Sequence, residues 1–93
     1  MPQDKDRRAR HDFFLIFIIN GEDFKVIADE NAPLQLAVAQ ALRESGNTGR
    51  PPEEWEVRDV NGVLLEQHRT PKELQLHKGS RLFLSLKVGA GGT

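Results

Sequence analysis

The chain has 93 residues, enough for one small two-layer domain and too few for two. Hydrophobic content of 38%, charged content of 29% and a net charge of −1 describe a well-solvated globule with no global field toward nucleic acid or a membrane surface. There is no cysteine, which excludes disulfides, thiolate metal sites and a cysteine nucleophile, and which suits a reducing cytoplasm.

Residues 1–12 are polar and mix four bases (Lys5, Arg7, Arg8, Arg10) with acids, so they are expected to form a flexible arm without a targeting signal. Phe13 to Ile19 is aromatic and β-branched and predicts a strand. Its seven residues are far short of the roughly 20 a membrane-crossing helix needs. Asn20-Gly21 accepts the positive φ of a tight hairpin turn, and Phe24 to Ala28 predicts the return strand. One alternating half of the first strand must face outward, either Phe14-Ile16-Ile18 or Phe13-Leu15-Phe17-Ile19. Such a stripe is an interface unless a loop, the arm or Phe83 covers it.

Asp29 to Pro33 predicts a helix start, with Asn31 as the cap and Pro33 in the first turn. Leu34, Val38, Ala41 and Leu42 recur at helical spacing on one face, and Gly46 marks the stop. Residues 47–54, with Pro51-Pro52, predict irregular chain. Trp55 to Asp59 alternates apolar and charged residues as a half-buried strand does, with Trp55 and Val57 inward. Asn61-Gly62 signals a second turn, Val63 to Leu65 a short strand, and 68–79 a connector anchored by Leu74 and Leu76. Leu82 to Val88 predicts the last strand, with Leu82, Leu84 and Leu86 on one face by period 2. Strands on both sides of one amphipathic helix predict an α+β domain over 13–88, a mixed sheet of four to five strands with the helix across one face.

No catalytic or metal-binding constellation stands out. His11, His68 and His77 are scattered, no serine or threonine sits in a nucleophile motif, and no glycine-rich loop precedes a helix. The chain is therefore not expected to be an enzyme, and no cofactor, metal, nucleic-acid or membrane partner is expected. Lys5, Lys25, Lys72, Lys78 and Lys87 read as ordinary surface charge that could also accept an acyl group.

Three stretches resemble ubiquitin, in its order and at nearly its spacing. Gly49-Arg50-Pro51-Pro52-Glu53 is similar to the turn after ubiquitin's helix. Arg69-Thr70 and then Leu76-x-Lys78-x-Ser80, before Leu82-x-Leu84-x-Leu86, is similar to the approach to its last strand. Gly91-Gly92 is similar to its terminal diglycine. The resemblance covers 13–92 and implies a ubiquitin-like β-grasp fold, most like the single-domain modifiers of bacterial ubiquitination-like antiviral defence operons. It implies an E1-like activating enzyme that uses ATP, an E2-like conjugating enzyme, a JAB-type peptidase and a covalent target protein as partners.

On that resemblance the conjugating carboxylate is Gly92's, with Gly91 beside it, and Thr93 must first be removed by the peptidase. Leu86, Lys87, Val88, Gly89 and Ala90 form the recognised tail, and 89–93 are its flexible end. The positions of ubiquitin's recognition patch are held by Arg58, Phe83 and Ser85, a more polar set. The tail also lacks ubiquitin's arginine pair. Glycines without a Cβ let such a tail thread into a narrow active site. The alternatives are a ThiS/MoaD-like sulfur carrier, which normally ends directly on glycine, and a β-grasp interaction module that is never conjugated.

Overall fold

The computed structural model describes residues 13–88. The arm at 1–12 and the tail at 89–93 lie outside the described residues.

Strands β1 (Phe14–Ile19) and β2 (Glu22–Ile27) form an antiparallel hairpin. Asn20 and Gly21, with φ of 54° and 84°, make its two-residue turn. Positive φ at both positions gives a turn whose twist matches the strands, so β2 begins at once on Glu22 and not at Phe24 as predicted. Helix α1 (Leu34–Glu44) follows. A single 3-10 turn, Pro52–Glu54, leads into β3 (Trp55–Arg58), then β4 (Leu64–Leu65) and β5 (Ser80–Leu86). The sheet order is β2-β1-β5-β3-β4. β1 and β5 run parallel, and every other pairing is antiparallel. A five-stranded mixed sheet with one helix packed across it is a β-grasp-like α+β fold, as the sequence predicts.

The core lies between the helix and one sheet face. Leu15, Phe17 and Ile19 of β1, Val26 of β2, Val57 of β3, and Leu82 and Leu84 of β5 meet Leu34, Ala37, Val38, Ala41 and Leu42 of α1. Burial of these side chains, about 1.5–3 kcal/mol for each large one, is the main force holding the helix on the sheet. The register of β1 is thereby settled: Leu15, Phe17 and Ile19 are inward, and Phe14, Ile16 and Ile18 are the outward set.

Both ends of α1 show why its limits fall where they do. At the C-terminus, Asn47 N–H donates to the Leu42 carbonyl and Gly46 N–H to that of Arg43. Gly46 sits at φ 79°, so this is the paired-bond glycine stop the sequence signals. At the N-terminus the expected Asn31 cap is not made. Pro33 itself is the cap residue, without a side-chain bond, and the Asn31 N–H is held by Asp29 Oδ1. The first helical N–H groups are satisfied from far along the chain: Leu34 donates to the Arg69 carbonyl at 2.8 Å and Gln35 to that of Gln67 at 2.9 Å. Backbone carbonyls of the 66–79 connector thus replace a local cap.

Gln67 works twice at this junction. Its Nε2 donates to the carbonyls of Pro52 and Trp55, both at 2.9 Å. It therefore ties helix start, 3-10 turn and β3 together. Gln67→Ala is expected to cost about 1–3 kcal/mol, because two carbonyls lose their donor. Chemical denaturation of the variant checks this.

Two other expectations are corrected. Residues 47–54 are not wholly irregular, since Pro52, whose fixed φ suits a first turn, opens the 3-10 turn. The last strand spans Ser80–Leu86 and stops before Val88. Its Leu86 shares the alternation of Leu82 and Leu84, yet it is 44% exposed.

Candidate functional site

Two surfaces hold the residues singled out by sequence, the end of β5 and the outer face of the sheet. β5 lies between β1 and β3, with Leu86 opposite Trp55 and Ser85 opposite Glu56. Beyond it, the Lys87 N–H donates to the Glu54 carbonyl at 2.9 Å. Val88, next along, is fully exposed. The root of the tail is therefore fastened through Lys87 and released at Val88. Gly89, Ala90, Gly91, Gly92 and Thr93 lie outside the described residues.

Carboxylates surround this root. Glu53 and Glu54 lie in the 3-10 turn and Glu56 on β3, and Arg50 pairs with Glu54 at 3.0 Å. Trp55 is buried beneath, as predicted, with its indole N–H unpaired. A shallow groove opens on the β4 side, floored by Trp55, Leu65 and Leu74 and rimmed by Val63, Leu64 and Lys87. Val63 and Leu64 are both more than half exposed. Sequence reading placed these two on a strand and missed their exposure. The available signal was an unbroken apolar run on a strand too short to bury every member.

The outer face brings Arg58, Phe83 and Ser85 together. Arg58 and Phe83 are directly opposite across β3 and β5, Ser85 follows on β5, and Ile18 of β1 flanks Phe83. Phe83 is 43% exposed. The Arg58 guanidinium is held by its own segment: Nη1 donates to the Gly62 carbonyl at 3.0 Å and Nη2 to Glu56 Oε1 at 3.2 Å.

The β1 stripe beside them is half-buried. Lys25 Nζ lies 4.4 Å from the centre of the Phe14 ring, a cation–π contact. Asp23 on β2 stands opposite Ile18, Arg81 on β5 opposite Ile16, and their ion pair at 3.2 Å crosses β1 between them. The aliphatic stems of Lys25 and Arg81 thus lie over apolar surface while their charges stay wet. No local pattern relates residues 58 positions apart, so sequence reading missed this pair.

The arrangement offers surfaces for a partner and an exposed point of exit for the chain. Among the described residues no group of three or more His, Cys, Asp or Glu side chains could hold a metal ion. No described helix is long and apolar enough to cross a membrane. A family profile described as "Protein of Unknown function (DUF2604)" matches residues 10–92. The chain belongs to the DUF2604 family. The match takes in every described element of this DUF2604 domain and continues through Gly91-Gly92. The chain is also similar to a protein of Sinorhizobium fredii (strain NBRC 101917 / NGR234) named "Uncharacterized protein y4jI", 35% identical over 78 residues. Those residues are 84% of this chain and 60% of the relative, so the chain spans about three-fifths of the relative's length.

Proposed function

We propose that this DUF2604 domain is a ubiquitin-like protein modifier, activated at the Gly92 carboxylate and transferred to an amine of a target protein. The observation that carries the reading is the β-grasp-like fold whose last strand ends at Leu86, six residues before a diglycine's final residue, with Val88 already in solvent. The ordered match to ubiquitin's post-helix turn, last strand and diglycine supports it further.

The chemistry asks little of the modifier. An E1-like enzyme adenylates the carboxylate with ATP and releases pyrophosphate. An enzyme thiol displaces AMP, the acyl group passes to an E2-like thiol, and an amine finally displaces that thiol. Activation makes the acyl carbon electrophilic, so the modifier contributes no catalytic residue and binds no cofactor. In this chain Gly92 is joined to Thr93 by a peptide bond, so a JAB-type peptidase must first hydrolyse it. The cytoplasm and a part in bacterial antiviral defence belong to the same reading and rest on the family resemblance.

The outer face is the surface for these partners in this reading. Phe83, flanked by Ile18 and Arg58, is its most accessible aromatic. Phe83→Ala is expected to weaken binding to the activating enzyme about tenfold, the loss of about 1.4 kcal/mol typical of a contributing interface aromatic. The fold should survive, because the ring is no part of the core. Titration calorimetry with a protein having unchanged thermal stability checks both halves. The whole reading is tested by isotope exchange between pyrophosphate and ATP: a Gly92-ending chain should stimulate exchange by the activating enzyme of its own operon. No stimulation would refute the modifier.

A further inference from the structure

The sheet has two edges, β2 and β4, and they are unequal. β4 is two residues long and offers little to pair with. β2 is six residues long, has no proline, and keeps an unbroken register with β1 from Glu22↔Ile19 to Ile27↔Phe14. In an antiparallel pair, alternate residues turn their N–H and C=O groups to the same neighbour. Ala28 N–H donates to the Phe13 carbonyl, so Glu22, Phe24, Val26 and Ala28 face β1. Asp23, Lys25 and Ile27 therefore present their backbone donors and acceptors along the outer edge, which no other described strand pairs.

Apolar surface accompanies that edge. A cleft between β2 and α1 is lined by Ile27, Ala32, Leu36 and Ala37. Ile27 and Leu36 are 53% and 63% exposed. Phe24, on the helix side of β2, is only half-buried against the core. Charges on an edge strand ordinarily discourage pairing with arbitrary strands. Here their order makes them self-complementary. When two β2 strands run antiparallel with Phe24 opposite Phe24, Asp23 of each copy stands opposite Lys25 of the other. The neighbouring registers that keep edge residues opposite one another lie two residues away, and they set Lys25 against Lys25 or Asp23 against Asp23. One register is thus favoured, and in it the edge residues form the hydrogen-bonded pairs while the two Phe24 rings form the closer, non-bonded pair.

We infer that a second copy of this chain is the partner of the β2 edge, giving a two-fold symmetric dimer with one continuous ten-strand sheet, twice the five of one chain. The two-fold axis stands normal to the sheet, both helices lie on the same face, and the Leu36 cleft of each copy meets the seam. Opposite charges across each hydrogen-bonded pair and the Phe24 pair select the partner. The tail root stays open, because β5 is separated from this edge by β1 and β2. The inference is independent of conjugation.

The test uses the full chain in sedimentation equilibrium. The native protein should approach twice its 10.5 kDa monomer mass as concentration rises. D23K, with an amine at both positions, and K25D, with a carboxylate at both, should each be monomeric. An equimolar mixture of the two should recover the dimer mass, and so should the double variant D23K/K25D, in which the charges are exchanged. Far-UV circular dichroism confirms that each variant is folded. A native protein that stays monomeric at every concentration would overturn the proposal and leave the edge to another extended segment. A dimer unaffected by D23K and K25D would overturn it too, by placing the contact elsewhere.

Discussion

Gly92→Leu should abolish conjugation while leaving the domain folded. The proposed chemistry runs through the Gly92 carboxyl carbon, which an adenylating site must bring in line with the α-phosphorus of ATP. Glycine allows the backbone to lie against both walls of a narrow channel, and a branched side chain at the reacting residue holds the walls apart. Misplacement of reacting atoms by about 1 Å can cost about 100-fold in rate. Loss of both adenylation and thioester formation, by at least that factor, is therefore expected in single-turnover assays. Stability should not change, since the core among the described residues is built from residues 15–84. Gly92→Ala is the informative intermediate, because one methyl group should slow activation without ending it. Equal activity of the native and leucine chains would show that the reacting carboxylate is another.

Phe17→Ala should remove most of the domain's stability. Phe17 lies on the central part of β1, is fully buried, and pairs with Phe24 on β2 and Leu82 on β5. Its ring fills the space between three strands and the helix, so removing it leaves a cavity that neighbours on rigid strands cannot collapse. Such truncations cost about 3–5 kcal/mol. A native domain has only about 5–15 kcal/mol in total, and one this small lies toward the lower end. Phe17→Leu, which keeps most of the volume, should cost less than half as much. Denaturant titrations of the pair separate cavity formation from general disruption of β1.

Much of the fold was legible because short-range rules act without competition in this chain. Asn20-Gly21 and Gly46 sit at positive φ, where their residue types predict a turn and a helix stop. Trp55 and Val57 alternate with charges, and they are buried as that pattern requires. The orientation of β1 was not legible, because both alternating sets are apolar and only the placement of α1 distinguishes them. The cap of α1 was missed for a related reason. Arg69 and Gln67 supply backbone carbonyls, which any residue could offer, from more than thirty positions away. The exposure of Leu86 is set by tertiary packing, which period 2 does not contain.

The candidate site divides along the same line. Arg58, Phe83 and Ser85 were chosen by their match to ubiquitin's patch, and strand register makes them neighbours. The Lys25–Phe14 contact and the Arg81–Asp23 pair are invisible to spacing, yet they shield the β1 stripe. They also help to explain why Phe14, Ile16 and Ile18 are half-buried on an outer sheet face. Each such exposed pair contributes little stability by itself, about 0–1 kcal/mol for the ion pair. The proposed conjugating residues differ in kind, because their role is argued from chemistry and not from folding. Gly91 and Gly92 stand out in the sequence only as the end of an ordered set of matches.

The most direct test of the proposed modifier role is the intact mass of the chain after incubation with ATP and the products of its neighbouring genes. A modifier should show cleavage of the Gly92–Thr93 bond, then a thioester on the carrier that thiols reverse, then a stable amide adduct joined through Gly92. An unchanged mass beside a demonstrably active activating enzyme would contradict that role, and would make this domain a β-grasp interaction module instead.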